Sequence, residues 1–141
     1  SSDAAVPLET ILRNGVRKSP DVTALAALGT NQLTALVWHY HDDDVPGPAA
    51  DVSLTINGLP TQLQSAALTH YRIDAEHSNA FEAWKRLGSP QQPNKDQLRQ
   101  MEKASQLTFL SMTDKIQISD GNVTLRTTLP RQAVSLLVLA W

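Results

Sequence analysis

Apolar and polar side chains alternate along most of this 141-residue chain, and the alternation predicts strands over its greater part. Residues 22–28 and 33–40 are two runs rich in β-branched, aromatic and apolar residues, separated by Gly29-Thr30-Asn31-Gln32, and they predict a hairpin. Residues 51–57 alternate strictly, with Val52, Leu54 and Ile56 on one face and Ser53 and Thr55 on the other, before the turn pair Asn57-Gly58. Residues 63–74 form the next strand. After position 106 the pattern predicts short strands over 107–112 and 115–119, a tight turn at Asp120-Gly121, and a strand over 122–129. In that last strand Val123, Leu125, Thr127 and Leu129 share one face. Pro130 ends it. Residues 134–141 are apolar on both faces, as expected of an interior strand or one covered by a neighbouring domain. Roughly seven or eight strands separated by turn signals point to an antiparallel β-sandwich and not to a parallel α/β sheet.

The period changes between residues 74 and 105. Asn79 is placed as an N-cap with Glu82 at the third helical position, so that each side chain can satisfy a free amide of the other. Phe81 and Trp84 then fall on one face, which offers the helix a way to dock. Gly88 suits a left-handed C-terminal residue, and Pro90 and Pro93 prevent continuation. Asn94 and Gln97 repeat the capping arrangement for a second helix with Leu98, Met101 and Ser105 along one side. The expected organisation is therefore a lead-in over residues 1–20 with a short helical piece, followed by a β-sandwich over 21–141. A two-helix insertion interrupts that sandwich at about 74–105. Leu8, Ile11 and Leu12 carry the helical spacing of the lead-in, and Asn14 and Gly15 break it.

Composition narrows the function classes. A net charge of −2 and a pI near 6.0, without a lysine or arginine cluster, lack the electrostatic footprint of a nucleic-acid binder. The longest apolar runs are far below the roughly 20 residues that span a bilayer. The chain has no cysteine, which excludes disulfides, thiolate metal sites and cysteine nucleophiles and leaves the compartment open. It contains no Gly-x-Ser-x-Gly, phosphate-binding loop or dinucleotide fingerprint.

Three polar or aromatic groups need a chemical reading. His39 and His41, one residue apart on a strand, point to the same face, and Asp42, Asp43 and Asp44 follow them. Three consecutive carboxylates repel one another and cannot all turn towards one ion, so a solvated or partner-facing loop is the expectation, with no metal and no cofactor. Asp74, Glu76 and His77 sit at a strand-to-helix junction, where polar side chains commonly anchor a turn. No nucleophile accompanies them, and no catalytic residue is assigned. Trp38 and Trp141 lie in apolar strands and are expected in the core, which leaves Trp84 as the tryptophan placed to reach beyond the sandwich.

The string HYRIDAEHSNAFEAWKRLGSPQQPNKDQLRQMEKASQL at residues 70–107, preceded by TALVWHYHDDDVPGPAADVSLTINGLP and followed by LPRQAVSLLVLAW, resembles the C-terminal β-sandwich region of glycoside hydrolase family 39 β-xylosidases. A looser form of its Trp-Lys-Arg-Leu-Gly…Pro…Gln pattern also resembles the α-L-iduronidases. The resemblance covers nearly the whole chain. It implies a parent enzyme that hydrolyses O-glycosidic bonds of xylosides with retention, using two glutamates on a (β/α)₈ barrel that stand about 5 Å apart across the sugar. The family's acid/base lies in an Asn-Glu pair, and no Asn here is followed by Glu. A barrel also takes about 200 residues or more. The chain is therefore expected to be a non-catalytic accessory sandwich of a longer enzyme. Its partner would be the barrel of the same parent, with self-association as a further possibility and weak or no sugar binding by the domain alone. Contact candidates are His39, His41, Asp42, His77, Asn79, Phe81 and Trp84. The alternative is a stand-alone carbohydrate-binding module, which needs an exposed aromatic platform.

Overall fold

In the computed structural model, which describes residues 6–15, 19–42 and 45–141, the strand with the clearest two-sided pattern is the second, Gln32–His39. Leu33, Ala35, Val37 and His39 are buried on one face, while Thr34, Leu36 and Trp38 are half-buried on the other. The elements in order are α1 (Leu8–Asn14), β1 (Val22–Leu28), β2 (Gln32–His39), β3 (Ala50–Ile56) and β4 (Ser65–Ile73). After them come α2 (Ala80–Arg86), α3 (Lys95–Ser105), β5 (Phe109–Gln117), β6 (Val123–Leu129) and β7 (Val134–Ala140). β1, β2, β7, β4 and β5 form one antiparallel sheet in that order, and β3 and β6 form a second of two strands. The inner faces of both sheets supply one core: Leu33 and Val37 from β2, Leu137 and Leu139 from β7, Ile56 from β3, and Val123, Leu125 and Leu129 from β6. The fold is the expected mainly-β antiparallel sandwich with two helices between strands. No helix among the described residues is long and apolar enough to cross a membrane.

Where the chain passes between sheets, local chemistry fixes the path. Asp120 (φ 51) and Gly121 (φ 72) form a tight turn in which Ser119 and Asn122 exchange backbone bonds of 3.0 and 2.8 Å. Gly121 answers two demands at once. Its φ lies in the left-handed region, and a Cβ at this position would stand 2.5 Å from the Leu59 carbonyl oxygen. The close approach is held by a 3.0 Å bond from the Leu59 amide to the Gly121 carbonyl, which ties the loop after β3 to the start of β6.

Three sequence expectations change. The two short strands over 107–112 and 115–119 are one strand, β5, whose pairing with β4 shifts register between Ala66 and Leu68 and between His70 and Tyr71. Those irregularities break the strict alternation that would have joined the pieces. Trp38 is not a core residue: it lies on the outer face of the large sheet, in a row with Thr23 and Val134. α2 buries Ala83 instead of docking through Phe81, which is 58% exposed.

Candidate functional site

Two polar clusters and one apolar face compete for functional meaning. The first cluster is at the end of β2. A carbonyl oxygen only accepts, so His39 Nδ1 donates to Leu129 O at 3.2 Å. In the neutral ring this leaves His39 Nε2 as an acceptor for the Nε2–H of His41, also at 3.2 Å, with ring centroids 5.1 Å apart. Gln132 clasps the same segment, accepting from His41 N and donating to His41 O. The shared face read from sequence is therefore real, but it points inward: His39 is 1% exposed and His41 9%. The His39 ring ties β2 to the end of β6, the His41 ring rests on His39, and Gln132 holds the His41 backbone to the β6–β7 connection; both rings are buried within the described chain. Asp42 is exposed beside them, while Asp43 and Asp44 lie outside the described residues. Among the described residues no group of three His, Cys, Asp or Glu is placed to share a metal ion.

The second cluster threads the sandwich along β4. Arg72, 4% exposed, donates through Nε to Ser135 Oγ at 2.8 Å and through Nη2 to Thr127 Oγ1 and Thr128 O at 3.2 Å, so that its guanidinium joins the two sheets. Ser135 Oγ, 2.8 Å from His70 Nε2, has its own proton left to donate to that nitrogen. Burial, then the Arg72 charge, lowers the pKa of His70 to about 4 and keeps the ring neutral. Burial also lowers the Arg72 pKa, against the opposing effect of Asp74, whose Oδ2 lies 3.6 Å from Arg72 Nη1. Asp74 is 8% exposed, which by itself would raise its pKa. Bonds to Oδ1 from Glu76 N, His77 Nδ1 and His77 N (2.8, 2.8 and 2.9 Å) outweigh that effect, and its pKa is lowered.

The strand-to-helix junction is thus an anchored turn. Asn79 Oδ1 caps α2 by accepting from Glu82 N at 3.1 Å while its Nδ2 donates to Asp74 O at 2.9 Å. Glu82 pairs with Lys85 and does not complete the reciprocal cap, whereas Asn94 and Gln97 form the full capping box of α3. Phe81 and Trp84 do share a face, stacked with centroids 5.6 Å apart, and Trp84 Nε1 donates to Pro90 O at 3.0 Å. A cleft of about 450 Å³ opens between this turn and the two helices, lined by Glu76, His77, Ser78, Arg86, Lys103 and Thr108 among others.

Alternation marked residues 134–141 as apolar on both faces, but the extent of the outer face follows only from register. Register places Leu25, Leu36, Leu136, Tyr71 and Phe109 in one row across all five strands of the large sheet. A flanking row holds Thr23, Trp38, Val134 and Ile73, and the other holds Ala27, Thr34, Val138, Thr69 and Met112. No charged residue occupies any of the three rows. Within them Leu25 is 66%, Phe109 60% and Met112 57% exposed.

The model of the glycosyl hydrolases of family 39 matches residues 15–113 of the chain. No curated protein sequence matches it. Among solved structures, the chain is similar to the GH39 enzyme of Xanthomonas axonopodis pv. citri, with a TM-score of 0.69 and 19% identity over 83% of this chain and 25% of that one. It is also similar to a monomeric β-xylosidase of Caulobacter crescentus CB15, with a TM-score of 0.64 and 16% identity over 83% of this chain and 26% of that one. A third is the bacterial orthologue of human α-L-iduronidase, with a TM-score of 0.65 and 18% identity over 84% of this chain and 22% of that one. At such identities the likeness establishes the fold. The chain spans about a quarter of the length of these solved chains.

Proposed function

We propose, from the premise that this chain belongs to the glycosyl hydrolases of family 39, that it is a non-catalytic accessory sandwich of a β-xylosidase-like enzyme and packs on a (β/α)₈ barrel of the same parent. The observation that carries the reading is the uncharged outer face of the large sheet. A contiguous apolar face on a soluble domain marks an interaction site, and this one spans five strands without a lysine, arginine, aspartate or glutamate in its three central rows. Hydrolysis of xylosides with retention would belong to the barrel, because that reaction needs two carboxylates about 5 Å apart on either side of a sugar. Here Glu82 is tied to Lys85, and the buried Asp74 is spent on backbone amides and His77.

The test is a pair of substitutions, Leu36→Glu and Leu136→Glu, in a longer parent protein. Both side chains lie on the outer row and leave the inner core untouched. Limited proteolysis is expected to release the sandwich from the variant faster than from the parent, with a fall in thermal stability. Unchanged cleavage and melting would overturn the reading. A stand-alone sugar-binding module predicts saturable binding of xylo-oligosaccharides by the 141-residue chain. The accessory reading predicts none of comparable strength, since Phe81 stacks on Trp84 and Lys85 Nζ sits 5.0 Å above the Phe81 ring.

A further inference from the structure

Two Asn-Gly pairs occur in the chain, Asn14-Gly15 and Asn57-Gly58. A glycine after asparagine matters chemically, because no Cβ shields its amide nitrogen from the asparagine side chain. The fold treats the two pairs differently. The Gly15 amide is held at the end of α1 by a 2.9 Å bond to Ile11 O. Asn57 and Gly58 instead lie between two fixed points, the last pair of the β3–β6 ladder, Ile56 with Val123, and the 3.0 Å bond from Leu59 N to Gly121 O. Both residues are exposed. Neither the Gly58 amide nor the Asn57 side chain has a hydrogen-bond partner among the described residues. The φ of Gly58 is 83°, in the left-handed region, and nothing stands within 4 Å of the place a Cβ would take. The side chains of Asn79, Asn94 and Asn122 are all bonded to backbone groups, and none of these three precedes a glycine.

We propose that Asn57, and not Asn14, is a site of spontaneous backbone modification in the folded chain. The Gly58 nitrogen attacks the Asn57 side-chain amide carbon and closes a succinimide ring. The bond to the side-chain nitrogen breaks, and the proton given up by the Gly58 amide leaves with that nitrogen as ammonia. Water, the only co-reactant, then opens the ring at either carbonyl. Opening at the side-chain carbonyl gives aspartate on an unchanged main chain. Opening at the main-chain carbonyl leaves the chain running through Cβ, an isoaspartyl link longer by one methylene. Either product carries a carboxylate that is ionised at neutral pH, which takes the formal net charge from −2 to −3. The isoaspartyl link places its extra methylene between Ile56 and Leu59, both members of the core, and so works against the bond from Leu59 to Gly121. The chemistry is independent of the accessory-domain reading.

Peptide mapping by mass spectrometry tests this on the 141-residue chain aged at mildly alkaline pH. In the folded chain, conversion at Asn57 should run about tenfold or more ahead of conversion at Asn14, a difference of about 1.4 kcal/mol between the two barriers. In denaturant the distinction between the pairs is gone, and the two should convert at similar rates. An isoaspartyl-specific methyltransferase should label the Asn57 peptide of the aged chain. Asn57→Gln, whose longer side chain would have to close a larger ring, should abolish both the conversion and the label with little change in melting temperature. The isoaspartyl form, separated by its added charge, should melt below Asn57→Asp, which gains the charge without the methylene. Equal melting of the two would remove the effect on Leu59. An Asn57 that stays intact in the folded chain would overturn the proposal. Equal conversion of Asn14 and Asn57 in the folded chain would do so too, because the fold would then make no choice between them.

Discussion

The buried polar residues along β4 make stability depend on pH in a direction that can be stated residue by residue. His70 has a folded pKa of about 4 against an ordinary value of 6.5, so below pH 6.5 the unfolded chain takes up a proton that the folded chain refuses. Stability is therefore intact above pH 6.5 and falls as the pH drops towards 4, by on the order of 3 kcal/mol in all. Asp74 acts at lower pH. Its pKa is lowered in the fold, so its contribution is present above the ordinary carboxylate value and is lost as the pH falls through the folded one. Denaturant melts of the wild type and of His70→Gln at pH 7 and pH 4.5 should show a clearly smaller loss in the variant; equal losses would remove His70 from the account. Gly121→Ala is expected to cost at least about 2 kcal/mol, because it combines a left-handed φ with a Cβ set against the Leu59 carbonyl. Gly58, also at positive φ but with open space around its Cβ position, should tolerate alanine better in the same melts.

At the scale of elements, the two caps allow a comparison. Asn94 closes a complete capping box on exposed α3, and its replacement by alanine should cost about 1 kcal/mol, as such caps do. Asn79 caps α2 and also holds the Asp74 carbonyl, so Asn79→Ala should cost more than Asn94→Ala and should speed exchange of the Glu76 and His77 amides. Equal costs would mean that the second bond contributes nothing. The helix caps, the Asp120-Gly121 turn and six of the seven strands were legible in the sequence because each rests on local chemistry or strict alternation. β5 was split in two because its bulges interrupt the period. The inward direction of His39 and His41 was not legible either, since alternation says that two side chains share a face without saying which face meets the second sheet. The long connection from β4 to β5 is a candidate contact with the barrel, the rim of its active site or another subunit, as a long excursion from a compact sandwich is usually functional. Deleting it from a longer parent is expected to change kinetics, oligomeric state or stability, and no change in any of the three would end that idea.

For the molecule as a whole, the decisive quantity is which side of the large sheet a partner covers. β7 is apolar on both faces, so the sequence announced an interior strand or one covered by a neighbouring domain without saying which. Register answers for one face: the inner rows meet β3 and β6, with Leu137, Leu139, Val37 and Ala35 all at 3% exposure or less. Among the described residues the outer rows meet no second sheet. A small domain with such a face has two ways to remove it from water, a covering domain or a second copy, and the free 141-residue chain has only the second. Sedimentation of the free chain at rising concentration is therefore expected to show self-association, with Leu36→Glu shifting it towards monomer while its melting temperature stays close to that of the wild type, because Leu36 contributes little to the inner core. A free chain that remains monomeric at every concentration would mean that the outer face is already compatible with water, and the case for a covering barrel would lose its main physical support.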